Sequence, residues 1–173
     1  MIRILDAELA DTDAEAVLRP VTAEWTAPTL QMRRLEMIAG AEPDVQCRRL
    51  GELPVGSAII TPAGDLAADF MIHVIIRSVE EPVTEAGVRR ALQNGMRRVV
   101  EWGIRSIAMP PLGTGAGNLD AEDSAALMIP LLEDHLGAHD VPERVDIHVE
   151  TEYEREIFQR WVDQRPTIGG GGT

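Results

Sequence analysis

Three glycines stand at every second position, 113, 115 and 117, in the stretch "PPLGTGAGNLD" at residues 110–120. Glycine loses more backbone entropy on folding than any other residue, so this density indicates a conformation that other residues cannot adopt. An apolar run, Ser106–Met109, precedes the loop, and Asp120 stands where it can cap a following helix. Strand, glycine loop and capped helix together form an arrangement that binds phosphate, because loop N–H groups and the helix dipole point at the anion. The predicted anion-binding residues are Gly113, Thr114, Gly115, Ala116, Gly117 and Asn118.

Two well-known phosphate motifs do not fit this loop. The dinucleotide fingerprint G-x-G-x-x-G requires glycine at position 118, where the chain has Asn118, and it opens the first βαβ unit rather than lying late in the chain. A Walker loop requires lysine, and the sequence contains none. A sharp strand-to-helix connection without any ligand remains the alternative at this point.

Charge and composition exclude several classes of function. The 173 residues carry a formal net charge of -13, and all 16 basic residues are arginines. Lysine-dependent chemistry such as a Schiff base is therefore excluded, and the negative charge disfavours duplex nucleic acid as a partner. No apolar run approaches the roughly 20 residues that span a bilayer, and no secretory signal pattern is present, so we predict a cytoplasmic protein without a membrane partner.

Catalytic and metal-binding side chains form no recognisable cluster in the sequence. None of the four serines stands in a Gly-x-Ser-x-Gly elbow, and the single cysteine, Cys47, is predicted to be a buried small hydrophobe. His73 lies in an apolar run, which favours a hydrogen-bonded structural role. His135 and His139 flank Gly137, and we interpret them as a solvated helix end rather than a metal site. The sequence thus predicts no cofactor and no metal, and the catalytic residues stay unknown.

Strand-like and helix-like segments alternate along the chain. The predicted strands are 2–5, 14–18, 57–61, 70–76, 106–109 and 144–150, and the predicted helices are 28–39, 43–51, 84–102, 120–136 and one opening at 151. The last helix is predicted to bury Tyr153, Ile157, Phe158, Trp161 and Val162. This alternation predicts an α/β sandwich with a largely parallel sheet. We expect one domain over residues 1–165 and a flexible glycine-rich tail over 166–173.

Three segments resemble macrodomains. They are "VQCRRLGELPVG", "GSAIITPAGDLAADFMIHVII" and "SIAMPPLGTGAGNLD", and the likeness extends from about Pro43 to Leu136. The resemblance implies a three-layer α/β/α sandwich around a mixed, largely parallel six-stranded sheet. Macrodomains bind ADP-ribose and related nucleotides in a cleft at the strand ends, and some hydrolyse ADP-ribosyl or O-acetyl esters.

The resemblance also implies positions for the parts of the ligand. The family's Gly-Asp-Ile, whose aspartate accepts from the adenine amino group, falls on Ala7-Glu8-Leu9, so Glu8 and Leu9 are implied ligand residues. The loop 113–118 would hold the diphosphate and the distal ribose with backbone N–H groups. These positions imply that the partner is a small molecule such as ADP-ribose, or a macromolecule carrying it.

The first ligand loop departs from the family pattern. Where macrodomains have roughly Asn-Ala-Ala-Asn followed by three glycines, this chain has Arg19-Pro20-Val21-Thr22 and then "AEWTAPTLQM". Proline removes a donor and fixes φ, so residues 26–29 cannot form the same anion nest. Arg19 and Thr22 occupy the asparagine positions and are implied site residues, while Gly117 replaces a common aromatic.

Trp25, inside this altered loop, has two open interpretations. Its ring either packs beneath the loop or stacks on a base or ribose. We therefore expect a divergent macrodomain that binds ADP-ribose or a related nucleotide diphosphate with weak or no hydrolase activity. The alternatives are a non-catalytic interaction or structural module and an active ADP-ribosyl or O-acetyl-ADP-ribose hydrolase. The sequence does not specify the oligomeric state.

Overall fold

A computed structural model describes residues 1–115 and 118–164, and within them one six-stranded sheet forms the centre of the molecule. The strands are β1 (Ile2–Leu5), β2 (Ala16–Thr22), β3 (Ala58–Pro62), β4 (Phe70–Arg77), β5 (Ser106–Met109) and β6 (Arg144–His148). Their order is β1-β6-β5-β2-β4-β3, and among these described strands only the edge strand β3 pairs in the antiparallel sense. The predicted mixed, largely parallel six-stranded sheet is confirmed.

Helices cover both faces of the sheet. They are α1 (Leu30–Ala39), α2 (Glu42–Arg48), α3 (Glu85–Trp102), α4 (Ala121–Ala138) and α5 (Glu152–Asp163), with a short 3-10 helix at Leu9–Asp11. The largest apolar cluster packs α3, α4 and α5 on one face of the sheet. Two smaller clusters pack α1, α2 and the 3-10 helix on the other face. The three-layer α/β/α sandwich is therefore confirmed.

Helix ends coincide with the residues whose chemistry predicts them. Thr84 accepts from the Gly87 N–H at 3.0 Å at the start of α3, and Gly103 ends that helix at φ 63°, in the left-handed conformation. Asp120 and Asp123 form a reciprocal capping box at the start of α4. These local contacts fix where each helix begins relative to the strand before it.

Some predicted boundaries and one predicted face were wrong. Strand β2 begins at residue 16 and runs to Thr22, four residues beyond the expected end, because pairing with β4 continues along it. Helix α4 runs to Ala138 rather than 136. Tyr153 was expected in the apolar face of α5, but it is 63% exposed, since it lies in the first turn of α5, where the helix borders the strand-end cleft.

Parts of two sequence predictions fall outside the described residues: Ala116 and Gly117 of the glycine loop, and the tail at 166–173. Within residues 1–115 and 118–164, no helix combines the length and apolar character needed to cross a bilayer.

Candidate ligand-binding cleft

A cleft of about 530 Å³ opens at the carboxyl ends of the parallel strands. Its walls include Pro20 of β2, Ile76 of β4, the segment after β5 and the segment after β6. In open α/β sheets this edge is where ligands bind, because the loops that follow the strands converge there. The cleft is therefore the candidate ligand-binding site.

The glycine loop forms one wall of the cleft. Gly113 has φ 84° and Gly115 has φ 73°, both in the left-handed region that favours glycine. A Cβ on Gly113 would lie 2.6 Å from Leu119 Cδ1, and a Cβ on Gly115 would lie 3.1 Å from Thr29 Cγ2. Both glycines are therefore required for backbone conformation as well as for space, and Thr114 between them also lines the cleft.

Buried contacts hold this loop in place on both sides. The Ser124 hydroxyl of α4 donates to the Leu112 carbonyl at 2.7 Å, and the Leu112 N–H donates to the Met128 sulfur at 3.2 Å. Beyond the glycines, the Asn118 side-chain amide donates to the Val83 carbonyl at 2.7 Å. One side-chain N–H of Asn118 is therefore used to fix the loop against the segment before α3.

Three helices begin at the cleft. Their N-cap residues, Thr29 of α1, Asp120 of α4 and Thr151 of α5, all line it. The first N–H groups of a helix have no partner within the helix, and its dipole makes that end positive. The cleft thus receives partial positive charge from backbone groups.

Side chains in the cleft carry the opposite sign. Asp120, Glu150 and Glu154 line it, and no basic side chain does so among the described lining residues. Asp120 accepts from the Asp123 N–H at 2.8 Å, and Glu154 accepts from the Glu150 N–H at 3.0 Å. Since two of the three carboxylates already accept helix-terminal N–H groups, an anion here would depend on the remaining backbone donors.

A second cleft, of about 290 Å³, adjoins the first. It is lined by Asp6, Ala7, Glu8, Gln31, Val149 and Glu150, and it shares Gln31 and Glu150 with the larger cleft. Arg34 of α1 forms an ion pair with Glu150 and lies 3.8 Å from a Glu8 carboxylate oxygen. Glu8 is thus at a ligand-accessible place, whereas the Leu9 side chain is 1% exposed and anchors the segment in the core.

Arg19 does not reach either cleft. Its side chain is 1% exposed, and its guanidinium donates to His73 Nδ1 at 2.7 Å and to Glu36 Oε1 at 2.5 Å. A guanidinium in the interior requires such partners, because an unpaired buried charge is strongly destabilising. Arg19 therefore forms part of a buried network beneath α1.

Thr22 and Trp25 also turn away from the cleft. The Thr22 hydroxyl lies 2.6 Å from the Thr26 hydroxyl and accepts from the Thr26 N–H at 3.1 Å. Trp25 is 3% exposed, and its indole N–H donates to the Gly51 carbonyl at 2.8 Å. Of the two interpretations of Trp25, the structure supports packing beneath the loop.

His73 is a hydrogen-bonded structural histidine, as predicted. Its Nδ1 accepts from Arg19, so Nε2 carries the proton and donates to Thr61 Oγ1 at 2.8 Å. The Thr61 hydroxyl in turn donates to the Pro62 carbonyl at 2.8 Å. Burial lowers the pKa of His73 well below 6.5, and the Arg19 charge lowers it further, so the ring is neutral.

The described residues contain neither a thiolate at neutral pH nor a cluster of metal ligands. Burial raises the pKa of Cys47 to about 11, so its sulfur stays a thiol at neutral pH. The His135 and His139 rings approach to 4.4 Å at the end of α4. No group of three His, Cys, Asp or Glu side chains suited to a metal ion occurs in the described part of the chain.

Sequence reasoning missed Tyr153 and His148. Tyr153 lines the cleft as an exposed ring, and its place in the first turn of the helix after a parallel strand is the signal that could have found it. His148 ends β6 and contacts Ala7. No local sequence pattern predicts that contact, because the two residues lie 141 positions apart.

Comparison with known proteins agrees with this geometry. The Macro domain family model matches residues 33–128, more than half of the chain. An uncharacterized protein of Aeropyrum pernix is 33% identical over 125 residues, 68% of this chain and 63% of that protein. The O-acetyl-ADP-ribose deacetylase of Citrobacter koseri is 30% identical over 122 residues, 66% of this chain and 66% of that protein. The chain thus spans just under two thirds of the length of each of these two relatives.

Solved structures match over nearly the whole fold. The Oceanobacillus iheyensis macrodomain with ADP superimposes with a TM-score of 0.83 at 20% identity, covering 92% of this chain and 88% of that one. The Trypanosoma brucei macrodomain in complex with ADP-ribose gives 0.84 at 15% identity, covering 93% and 68%. With the sheet order, the strand-end cleft and the family match together, the chain belongs to the Macro domain family.

Proposed function

We propose that this protein binds ADP-ribose or a related nucleoside diphosphate in the strand-end cleft. The observation that carries the proposal is the pair Gly113 and Gly115, held in left-handed conformations beside the N-terminus of α4. Peptide N–H groups in such a loop, next to a positive helix end, favour a phosphate group. The names of similar proteins, which mention ADP, ADP-ribose and O-acetyl-ADP-ribose, support the same ligand class.

The two adjoining clefts fit the two ends of such a ligand. The diphosphate would lie against residues 113–115, and the base would enter the second cleft, where Glu8 can accept from an amino group. Tyr153 offers an exposed aromatic face on the rim, and bases stack on such faces regardless of their identity. A macromolecule carrying ADP-ribose could present the same group.

We also propose that hydrolysis is weak or absent. Among the described residues lining the cleft there is no histidine, cysteine, serine or arginine to act as nucleophile, base or oxyanion donor. Asp120 and Glu154 accept backbone hydrogen bonds, and Glu150 is paired with Arg34, so each carboxylate is already engaged. Thr22, at the position of a family asparagine, is buried against Thr26.

A calorimetric titration tests the binding proposal. ADP-ribose, ADP and inorganic phosphate are titrated into wild type, Gly115→Val and Gly51→Val. Gly51 has φ 70° and open space around it, so it matches the strain at Gly115, φ 73°, without touching the cleft. We expect wild type and Gly51→Val to bind ADP-ribose, and Gly115→Val to bind at least about tenfold more weakly, the loss of roughly one charge-assisted hydrogen bond.

The same titration distinguishes nucleotide binding from the second candidate function, a structural or interaction module. The hydrogen bonds within the first loop favour a structural or interaction module, because they occupy the Thr22 hydroxyl, which stands at the position of a family asparagine. If wild type binds none of the three ligands, or if Gly115→Val binds as well as wild type, that alternative replaces nucleotide binding. Release of acetate from O-acetyl-ADP-ribose at the rate of the Citrobacter koseri enzyme, assayed beside it, would contradict weak hydrolysis.

A further inference from the structure

We infer that His148 is a positioning residue for base recognition: its imidazole holds the Ala7 carbonyl and thereby fixes Glu8 at the mouth of the second cleft. This inference rests on the proposed function, since it concerns how the same site would select its nucleobase.

His148 stands at the end of β6 with only 2% of its surface exposed. Its Nδ1 lies 2.9 Å from the Ala7 carbonyl oxygen. A carbonyl can only accept, so Nδ1 carries a proton and donates it to Ala7. In the described part of the chain, the buried Nε2 atom has no hydrogen-bond partner.

An unsatisfied buried nitrogen is costly, and an apolar side chain of similar size would fill the same space without that cost. His73 shows the contrast, because both of its ring nitrogens are bonded. The presence of histidine at 148 is therefore explained by what its one bonded nitrogen does. Among the described residues, the hydrogen-bond partner of that nitrogen is the carbonyl oxygen of Ala7, which lines the second cleft.

The bond fixes one side of a short segment whose other side is already anchored. Leu9 is 1% exposed in the core, and the Asp11 N–H donates to the Glu8 carbonyl at 3.1 Å. With Ala7 tied to His148, the backbone of Glu8 is held from both directions. Its carboxylate is 58% exposed and pairs with Arg34 Nε at 3.8 Å, and because Glu8 also lines the second cleft, its remaining acceptor sites are open to a donor placed there.

A carboxylate held in this way selects for an amino group on the base, because it can accept but not donate. The test titrates ADP and purine riboside 5′-diphosphate, which lacks the 6-amino group, into wild type, His148→Asn and His148→Leu. The asparagine amide reaches about as far as Nδ1 and can still donate to Ala7. We expect wild type to prefer ADP by about tenfold, the value of roughly one hydrogen bond to a charged group.

His148→Asn should keep most of that preference, while His148→Leu should reduce it to about twofold with inorganic pyrophosphate affinity unchanged in all three proteins. A leucine variant that binds ADP and keeps the full preference overturns the inference, as does a wild type that binds both nucleotides equally. If wild type binds neither, the proposed function itself fails. Should the leucine variant not fold, His148→Phe serves instead, because its ring fills similar space without a donor for Ala7, and an undiminished preference in that variant overturns the inference.

Discussion

Two loops at the same edge of the sheet have opposite designs. The segment after β5 places Gly113 and Gly115 in left-handed conformations, and its backbone faces the cleft. The segment after β2 turns back on itself, with the Thr22 hydroxyl bonded to both the hydroxyl and the N–H of Thr26. The difference indicates that the hydrogen bonds within the first loop stabilise that loop itself, while the left-handed glycines of the second loop leave its backbone beside the cleft.

Trp25 illustrates the structural role of the first loop. It has φ 66°, a conformation that is strained for a bulky residue, and the cluster around it is buried. Such strain persists only where surrounding contacts determine the conformation. Here those contacts are the apolar cluster and the indole bond to Gly51.

The largest effect on stability should come from removing that ring. Trp25→Ala should lower the free energy of unfolding by about 3–5 kcal/mol, because it leaves a cavity in a packed cluster. Urea denaturation measures the loss, and Trp25→Phe is the control, losing about 1 kcal/mol with the indole hydrogen bond. A folded Trp25→Ala variant whose ADP-ribose affinity is tenfold lower would contradict this comparison of the two loops, because it would show that the first loop contributes to binding.

A smaller loss should follow from crowding the second loop. In Gly113→Ala the new Cβ would lie 2.6 Å from Leu119 Cδ1 at φ 84°. We expect the free energy of unfolding to fall by about 2–4 kcal/mol, because left-handed strain and overpacking both destabilise the variant. Gly103→Ala, at φ 63° with open space, isolates the strain alone. Equal shifts in thermal midpoint for the two variants would show that the Leu119 side chain moves aside without lowering stability.

The buried network beneath the first loop predicts a dependence on pH. The pKa of His73 is lowered below 6.5 in the folded protein, so below pH 6.5 the unfolded chain binds a proton that the folded chain does not. Stability should therefore fall as pH drops below 6.5, with a slope approaching about 1.4 kcal/mol per pH unit from this group. Burial lowers the pKa of His135 as well, and it contributes in the same direction.

Urea midpoints between pH 8 and pH 5 measure the slope in wild type, His73→Gln and His135→Gln. His73→Gln should flatten it most, because His73 is fully buried and faces Arg19, whereas His135 is only partly buried. A slope in His73→Gln identical to that of wild type contradicts the assignment.

The smallest effect should come from Thr22. Thr22→Val keeps the shape of the side chain and the backbone bond from the Thr22 N–H to the Thr26 carbonyl, but it removes the hydroxyl bonds to Thr26. We expect the free energy of unfolding to fall by about 1 kcal/mol. ADP-ribose affinity in the same variant should equal that of wild type, because the hydroxyl lies outside the cleft lining. Reduced affinity without reduced stability would reverse the assignment of this residue.

Local signals were sufficient to predict most of the fold. Thr84, Gly103 and Asp120 each mark a helix end through contacts within four residues, so their roles could be predicted from sequence alone. The glycine loop was predictable for the same reason. Boundaries such as the end of β2 were not, because pairing with a distant strand extends it.

The site depends on contacts that sequence does not display. Arg19 was implied as a site residue by its place in the first ligand loop, yet two residues distant in sequence, Glu36 and His73, pair with it in the interior. The bond between His148 and Ala7 joins the two ends of the domain. Neither contact has a periodicity or a motif, so both required the three-dimensional structure.

The acidic lining of the cleft has a consequence for how fast a ligand arrives. Asp120, Glu150 and Glu154 lie at the cleft of a chain whose net charge is -13, and a diphosphate approaching it is repelled before it meets any N–H donor. Salt screens that repulsion over roughly 10 Å at 0.1 M. Added salt should therefore speed association, the reverse of what clefts lined with lysine and arginine show for the same ligand.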